Sequence, residues 1–346
     1  MNDPYLQTFS KQHNTLHKIS PIPFVRASKQ YLYDDQGVEY LDCISNISHV
    51  GHCHPRVVDA ARIQMSKMTT SVGLLCETQV RYIKRLVETL PEQLCVCFLV
   101  NSGSEANDIA LRLARSYTGN EDVVVIDKAY YGALSSLVDI SPYKFGNSES
   151  KEGVQVVPLP DTYRGLYREE HHNVGELYAL DAEKVVARAL LKGRKIACFI
   201  SEPIIVSAGV IIPPKNYLKH IYSYIRGIGG VCIADEVQSG LSRTGEHFWA
   251  FQSHDVVPDI VTVGRPLGNG HPMAAVFTTR EIGDKLTDFV SSFGGNPVSC
   301  AIGSAVLDVM YNEKLMLAAK CVGQCLMEEL KKLKTRHTCI GDISCD

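Results

Sequence analysis

Between about residue 94 and residue 280, short β-rich runs alternate with helical ones, and that alternation leaves few folds open. The candidate strands are 94–100, 123–127, 154–157, 196–201, 231–234, 260–263 and 273–278. Most are apolar almost without a break, as strands are when a parallel sheet buries both their faces. Between them, Ala106, Ile109, Ala110, Leu113 and Ala114 recur at helical spacing, as do Leu218, Ile221, Tyr222 and Ile225. Strand, helix, strand in succession predicts a doubly wound α/β domain, with a large, mostly parallel sheet and helices on both faces. The flanks read differently. The first ninety or so residues give a loop, a short hairpin near 31–42 and two helices, 56–68 and 79–90. From Pro297 the chain reads helical to about Lys334 and stops at Asp346. The expected division is an N-terminal segment (1–50), a large α/β domain (51–290) and a helical piece (291–346) opening a smaller, truncated terminal domain.

Composition narrows the function. A chain of 346 residues, 45% hydrophobic, is long enough for two domains and a large core. With 35 Lys+Arg against 38 Asp+Glu and no long basic run, it is unsuited to coating nucleic-acid phosphates. The best apolar stretch, 204–212, is broken by Ser207 and Gly209 and falls well short of the ~18 residues of a membrane span. Met1-Asn2-Asp3-Pro4 lacks the features of a secretory signal, and with no arginine before Arg26 no mitochondrial presequence is visible. Twelve cysteines in such a chain are no disulfide scaffold. Cys95, Cys97, Cys198 and Cys232 sit in apolar runs as small hydrophobes, which points to a reducing, intracellular setting. His52-Cys53-His54 reads as a polar loop rather than a metal site, since no second cluster has zinc-site spacing. Cys321 and Cys325 lie on a helical pattern and read as core packing.

Two segments carry chemistry. Asn101-Ser102-Gly103-Ser104-Glu105-Ala106-Asn107 follows a strand and opens a helix. Ser102 and Glu105 have capping-box spacing, so a well-capped helix accounts for them. The Gly-Ser pair also presents free N–H groups and a hydroxyl to an anion at the positive helix end, provided Glu105 turns back onto the cap. Val231-Cys232-Ile233-Ala234-Asp235-Glu236 is an apolar strand ending in two acids. A magnesium-nucleotide reading fails because no G-x4-G-K-[ST] loop exists. Two readings remain: acids facing solvent, or a buried Asp235 that holds a heteroaromatic cofactor nitrogen protonated, as carbanion chemistry requires. Tyr130, after the strand ending at Asp127, either stacks on a flat cofactor or packs in the core.

In order along the chain, these segments are joined by Val50-Gly51-His52-Cys53-His54-Pro55, Ile212-Pro213-Pro214 and Ala234-Asp235-Glu236-Val237-Gln238. Val257-Pro258-Asp259-Ile260-Val261-Thr262, Gly268-Asn269-Gly270-His271-Pro272 and Gly294-Gly295-Asn296-Pro297 follow. The set resembles the class III aminotransferases, pyridoxal-phosphate enzymes of fold type I, from about residue 20 to the end. Within that family, Ile140-Ser141-Pro142-Tyr143-Lys144-Phe145 and Asp161-Thr162-Tyr163-Arg164-Gly165 resemble the phospho-lyase branch, which removes phosphate and ammonia from phosphorylated amines. The resemblance implies pyridoxal 5′-phosphate as cofactor. It places Ser102, Gly103 and Ser104 at the cofactor phosphate, Tyr130 on the ring, Asp235 at the ring nitrogen and Gln238 near the ring hydroxyl. It makes Glu202 an active-site glutamate. Ser292 stands where the family has a threonine that reaches the phosphate from the partner subunit, so a homodimer or homotetramer is implied.

The pattern breaks at its catalytic centre. The family's Schiff-base lysine belongs at position 265, where this chain has Arg265. An amine in such a pocket can lose its proton, attack the aldehyde and later shuttle a proton. With a pKa above about 12, roughly one guanidinium in 10^5 at most is deprotonated at neutral pH, a handicap of roughly 7 kcal/mol at ~1.36 kcal/mol per pKa unit. Cofactor binding without a covalent link remains open to such a site, and Lys128 is the nearest lysine in sequence to a presumed cofactor contact. Tyr131 replaces the family's histidine. Thr69-Thr70-Ser71-Val72-Gly73 retains only the threonine of a substrate-binding Asn-Thr-Asn-Ser-Arg stretch and lacks its arginine, a bidentate partner for anions. The resemblance therefore predicts a phospho-lyase-like protein whose covalent catalysis is lost or impaired. The alternatives are an active lyase or aminotransferase, and a non-catalytic partner of a full-length relative.

Overall fold

The computed structural model describes residues 22–45, 47–144 and 151–344. Met1-Asn2-Asp3-Pro4, Phe145 and Asp346, used above, lie outside them. The described residues fall into two compact units, those within 1–45 together with 51–54, and those within 46–50 together with 55–346. In the described part of the first, β1 (Phe24–Ser28), β2 (Tyr31–Asp34) and β3 (Glu39–Leu41) make an antiparallel sheet in that order. The hairpin expected near 31–42 thus has a further strand, joined through the Ser28↔Tyr31 pairing. Asp34 ties its own turn by accepting the Gln36 and Val38 amides at 3.0 and 2.8 Å. His52 and Lys29 form a backbone bridge, and His52 Nε2 sits 2.8 Å from Asp42 Oδ2.

The second unit begins with α1 (Pro55–Met65) and α2 (Glu77–Val87), close to the two helices expected there. The strands follow as β4 (Val96–Val100), β5 (Asp122–Ile126), β6 (Val154–Val157), β7 (Ile196–Ser201), β8 (Val231–Asp235), β9 (Ile260–Val263) and β10 (Ala274–Thr278). They form one sheet in the order β4-β10-β9-β8-β7-β5-β6. Strands β5 to β9 are parallel to their neighbours within that group, and β10 runs antiparallel to both β4 and β9. Apolar runs are indifferent to strand direction, so the sequence placed β10 without orienting it. Strands β5, β7, β8, β9 and β10 are buried along their whole length, the condition that makes such runs apolar without alternation.

Helix α3 (Gly103–Thr118) packs on β9 and β10, α4 (Val174–Leu191) on β6, and α5 (Tyr217–Gly227) on β8. Helix α3 turns Ala106, Ile109, Ala110, Leu113 and Ala114 inward and stops at Gly119, whose left-handed φ of 67° closes the last turn. The helical region expected from 297 is two helices, α6 (Pro297–Asn312) and α7 (Leu315–Arg336), broken where Lys314 takes a left-handed φ of 53°. The break separates a helix buried on most sides from one without a fully buried residue. Cys321 and Cys325 on α7 are accordingly exposed rather than core, and Cys95 is exposed as well.

Candidate active site

The carboxyl ends of parallel strands are where an α/β sheet offers ligands a crevice, because each strand there gives way to a loop and then a positive helix end. After β4, Ser102 caps α3 by accepting the Glu105 amide at 3.2 Å. Glu105 folds back: its Oε2 accepts the Asn101 amide at 3.2 Å and Asn101 Nδ2 at 2.9 Å. The acid is thus committed to the cap, and the first-turn amides of Gly103 and Ser104 remain at the positive end, outside the intrahelical ladder. The hydroxyl of Ser102 is spent on that cap.

Backbones crowd here, and this is why glycine stands at 103. A Cβ on Gly103 would lie 2.9 Å from Val237 Cγ2, and one on Gly264 would lie 3.4 Å from the Gly103 backbone. Loops following β4, β8 and β9 therefore meet at one point. From the β5 side, a Cβ on Gly132 would lie 2.7 Å from Ser104 Oγ, which itself accepts the Ala133 amide at 3.1 Å.

Asp235 ends β8 at 4% exposure. Its Oδ1 accepts the Val237 amide at 3.0 Å and its Oδ2 accepts Asn107 Nδ2 at 2.7 Å. The same Asn107 nitrogen donates to the Tyr131 carbonyl at 2.8 Å, and Asn107 Oδ1 accepts Thr262 Oγ1 at 2.6 Å. Burial pushes the Asp235 carboxyl up to about 6, opposed by the bonds from Val237 and Asn107, by the charge of Arg265 and by the Thr262 hydroxyl. Glu236 is fully buried too, accepting Ser239 Oγ at 2.7 Å and the Phe251 amide at 2.8 Å. The reading of these two acids as solvent-facing is therefore overturned.

Glu202 follows β7 and is 3% exposed. It accepts the Val206 amide at 3.1 Å and Ser207 Oγ at 2.9 Å. Burial, then the charge of Asp235, push it up to about 8, so it holds a proton at neutral pH. Tyr131 is buried and donates its hydroxyl to the Ile200 carbonyl at 2.9 Å. Tyr130 is half-buried, its ring edge-on to Tyr143 at 6.1 Å. Arg265 is half-buried at the start of a 3-10 turn, Arg265–Gly268, whose other residues are buried. Gln238 is half-buried in the loop after β8, Lys128 is exposed, and Ser292 is exposed in the loop before α6.

The fold thus gathers Gly103, Ser104 and Asp235 beside Val237 and Gly264, with Glu202 and Arg265 within reach of Asp235's field. Sequence reading missed Asn107 and Thr262. Their signal was present: an amide on the buried face of α3, and a hydroxyl in a strand that is otherwise entirely apolar.

A helix end for an anion, a buried carboxylate for a cationic ring nitrogen and a protonated glutamic acid together suit a phosphorylated heteroaromatic group. The aminotransferase class-III family model matches residues 12–345. This chain belongs to that family. Among family relatives, an alanine--glyoxylate aminotransferase 2-like protein of Drosophila melanogaster is 45% identical over 337 residues, covering 94% of this chain and 68% of the relative. The ethanolamine-phosphate phospho-lyase homolog 1 of Caenorhabditis elegans is 39% identical, covering 97% of this chain and 75% of the relative. A phospholyase from Arthrobacter, solved in complex with phosphoethanolamine, superposes with a TM-score of 0.93 at 34% identity, covering 99% of this chain and 82% of that one. These class III neighbours bear out the fold-type-I α/β architecture expected from the sequence.

Proposed function

We propose that this chain is a phospho-lyase-like class III protein that holds pyridoxal 5′-phosphate without a covalent bond, its covalent catalysis disabled at Arg265. The likeness to the C. elegans homolog and to the phosphoethanolamine-bound structure supports a phosphorylated amine as its ligand.

The residues present fit the cofactor's phosphate and ring. Glycine at 103 leaves room for a close approach to the first amides of α3, since a Cβ there would already meet Val237. Asp235 is a carboxylate whose burial is incompletely offset within the chain, and a protonated ring nitrogen would add its charge to that of Arg265. Gly103 and Ser104 would hold the phosphate, with Tyr130 beside the ring and Gln238 toward its hydroxyl. Bound there, the cofactor would supply an aldehyde that captures amines and a cationic ring that draws electrons from the captured carbon. Glu202 keeps a proton on the substrate side at neutral pH. Ser292 would reach the phosphate of a second copy, and exposed Leu74, Leu75, Val290 and Phe293, at 66, 93, 78 and 72% exposure, offer that copy an apolar surface.

What fails to fit is the covalent anchor. Arg265 begins the turn after β9, beside Asp235, and its guanidinium neither loses a proton near neutral pH nor condenses with an aldehyde. That observation carries the reading. The test is to load the protein with pyridoxal phosphate, reduce with borohydride and weigh the intact chain. A visible-absorbing complex that yields unmodified protein is expected; cofactor fixed to any lysine overturns the proposal.

An active lyase or aminotransferase is the second reading, favoured by the intact Asp235 and Glu202 environments. It is decided by substituting Arg265, as developed below.

A further inference from the structure

Asp235 is held by a buried side chain, Asn107, to which the family resemblance gives no role. Asn107 is 1% exposed, and both its amide hydrogens and its amide oxygen have partners. One hydrogen of Nδ2 goes to the Tyr131 carbonyl at 2.8 Å and the other to Asp235 Oδ2 at 2.7 Å, while Oδ1 accepts Thr262 Oγ1 at 2.6 Å. These partners fix which end of the amide faces which way. The Tyr131 carbonyl and the Asp235 carboxylate can only accept, so nitrogen must face them; oxygen is left for the Thr262 hydroxyl. Asp235 is pinned from the other side by the Val237 amide on Oδ1.

We propose that Asn107, oriented by Thr262, is the positioning residue that keeps Asp235 ionised and aimed, and so sets this site's preference for a protonated ring nitrogen. The inference rests on the pyridoxal-phosphate reading and deepens it. Three elements meet in the relay: α3 supplies Asn107, β9 supplies Thr262 and β8 supplies Asp235. A charge-assisted bond from a buried amide held at both ends favours the anion, and without it burial favours the neutral acid. The other ionisable groups facing Asp235 are Arg265, which favours its charge, and Glu202, Glu236 and Tyr131, which are coupled to it through the buried interior. Asn107→Ala leaves all four in place, so its effect reports the amide.

The experiment compares pyridoxal phosphate with its 1-deaza analogue, whose ring carries carbon in place of the nitrogen. Binding is followed by absorbance and quenching of Trp249 fluorescence between pH 5.5 and 9. For the unaltered protein, pyridoxal phosphate should bind more tightly than the analogue, and Asp235→Asn should abolish the difference. Asn107→Ala should weaken pyridoxal phosphate about tenfold at pH 7, the worth of one hydrogen bond to a charged group, and leave the analogue within about twofold. The acid limb of its binding profile should move to higher pH, because Asp235 takes up its proton earlier. Thr262→Val removes the hydroxyl that orients Asn107 and also bonds toward Asp235 itself, so it should move both readouts the same way, and it serves if Asn107→Ala does not fold.

Equal weakening of both ligands, or an unmoved acid limb in folded variants, overturns the positioning role while leaving the cofactor reading intact. If the unaltered protein binds neither ligand, the cofactor reading falls and the inference with it.

Discussion

Restoring lysine at position 265 isolates the one substitution on which the disabled-enzyme reading depends. At pH 8 a lysine with a pKa near 10.4 is about 0.4% free amine, whereas a guanidinium, which holds its proton far more tightly, is roughly 10^-6 to 3 × 10^-5 free base. The ratio is about 10^2 to 10^3 before the better nucleophilicity of the amine is counted. The structure adds two constraints. Asp235 lies within the field of residue 265, so either side chain there faces the same buried carboxyl. The turn that presents the side chain is built by buried Pro266, Leu267 and Gly268, while residue 265 is only half-buried, so the exchange should cost under ~1 kcal/mol of stability. Both proteins are incubated with pyridoxal phosphate and cyanoborohydride at pH 8, and the labelled fraction is read by intact mass against time. Arg265→Lys should label at least a hundredfold faster at unchanged non-covalent affinity. A rise below tenfold, with cofactor equally bound, means that residue 265 does not face the aldehyde, and the argument fails. Phosphate release from phosphoethanolamine by the same variant decides whether the remaining site is competent.

Two further outcomes follow from the structure. Glu202 is raised to about 8 from an ordinary carboxyl value, so the folded chain binds its proton more tightly than the unfolded one. Its stabilisation is complete below the unfolded value and is lost as pH rises through about 8, at no more than ~1.4 kcal/mol per pH unit. Thermal melts of the cofactor-free protein from pH 5 to 9 should therefore slope downward, and Glu202→Gln should flatten the slope; an identical slope would remove Glu202 as its source. For the subunit arrangement, light scattering should give a dimer mass, with Leu75→Asp lowering it to that of one chain. A monomeric unaltered protein would leave Ser292 without a partner site.

The sheet was legible because burial on both faces writes itself as uninterrupted apolar runs, and 154–157, 196–201 and 260–263 coincide with strands. The direction of β10 was not legible, since an apolar run carries no polarity along the chain. Nor was the break before α7, because Lys314 bends the chain without the glycine or proline that usually announces a turn. In the site, Gly103 and Asp235 stood out because each ends or begins an element with a residue that local structure alone does not demand. Glu105 was ambiguous until its carboxylate was seen on the Asn101 amide. Asn107 and Thr262 lay hidden in elements whose patterns they interrupt by one residue each; only the sheet order places them against Asp235.

The reversed strand β10 has a consequence for how such a protein can change. Because β10 lies beside β9, the chain returns from Val263 to Ala274 through a short hairpin connection rather than a long helical crossover. Position 265 therefore sits on a local bend whose other residues, Pro266, Leu267 and Gly268, are buried. Such a bend delivers whatever side chain occupies that position to one spot. Identity there can be exchanged with little disturbance to the architecture, so chemistry can be switched off, and switched on again, while the scaffold that recognises the ligand persists.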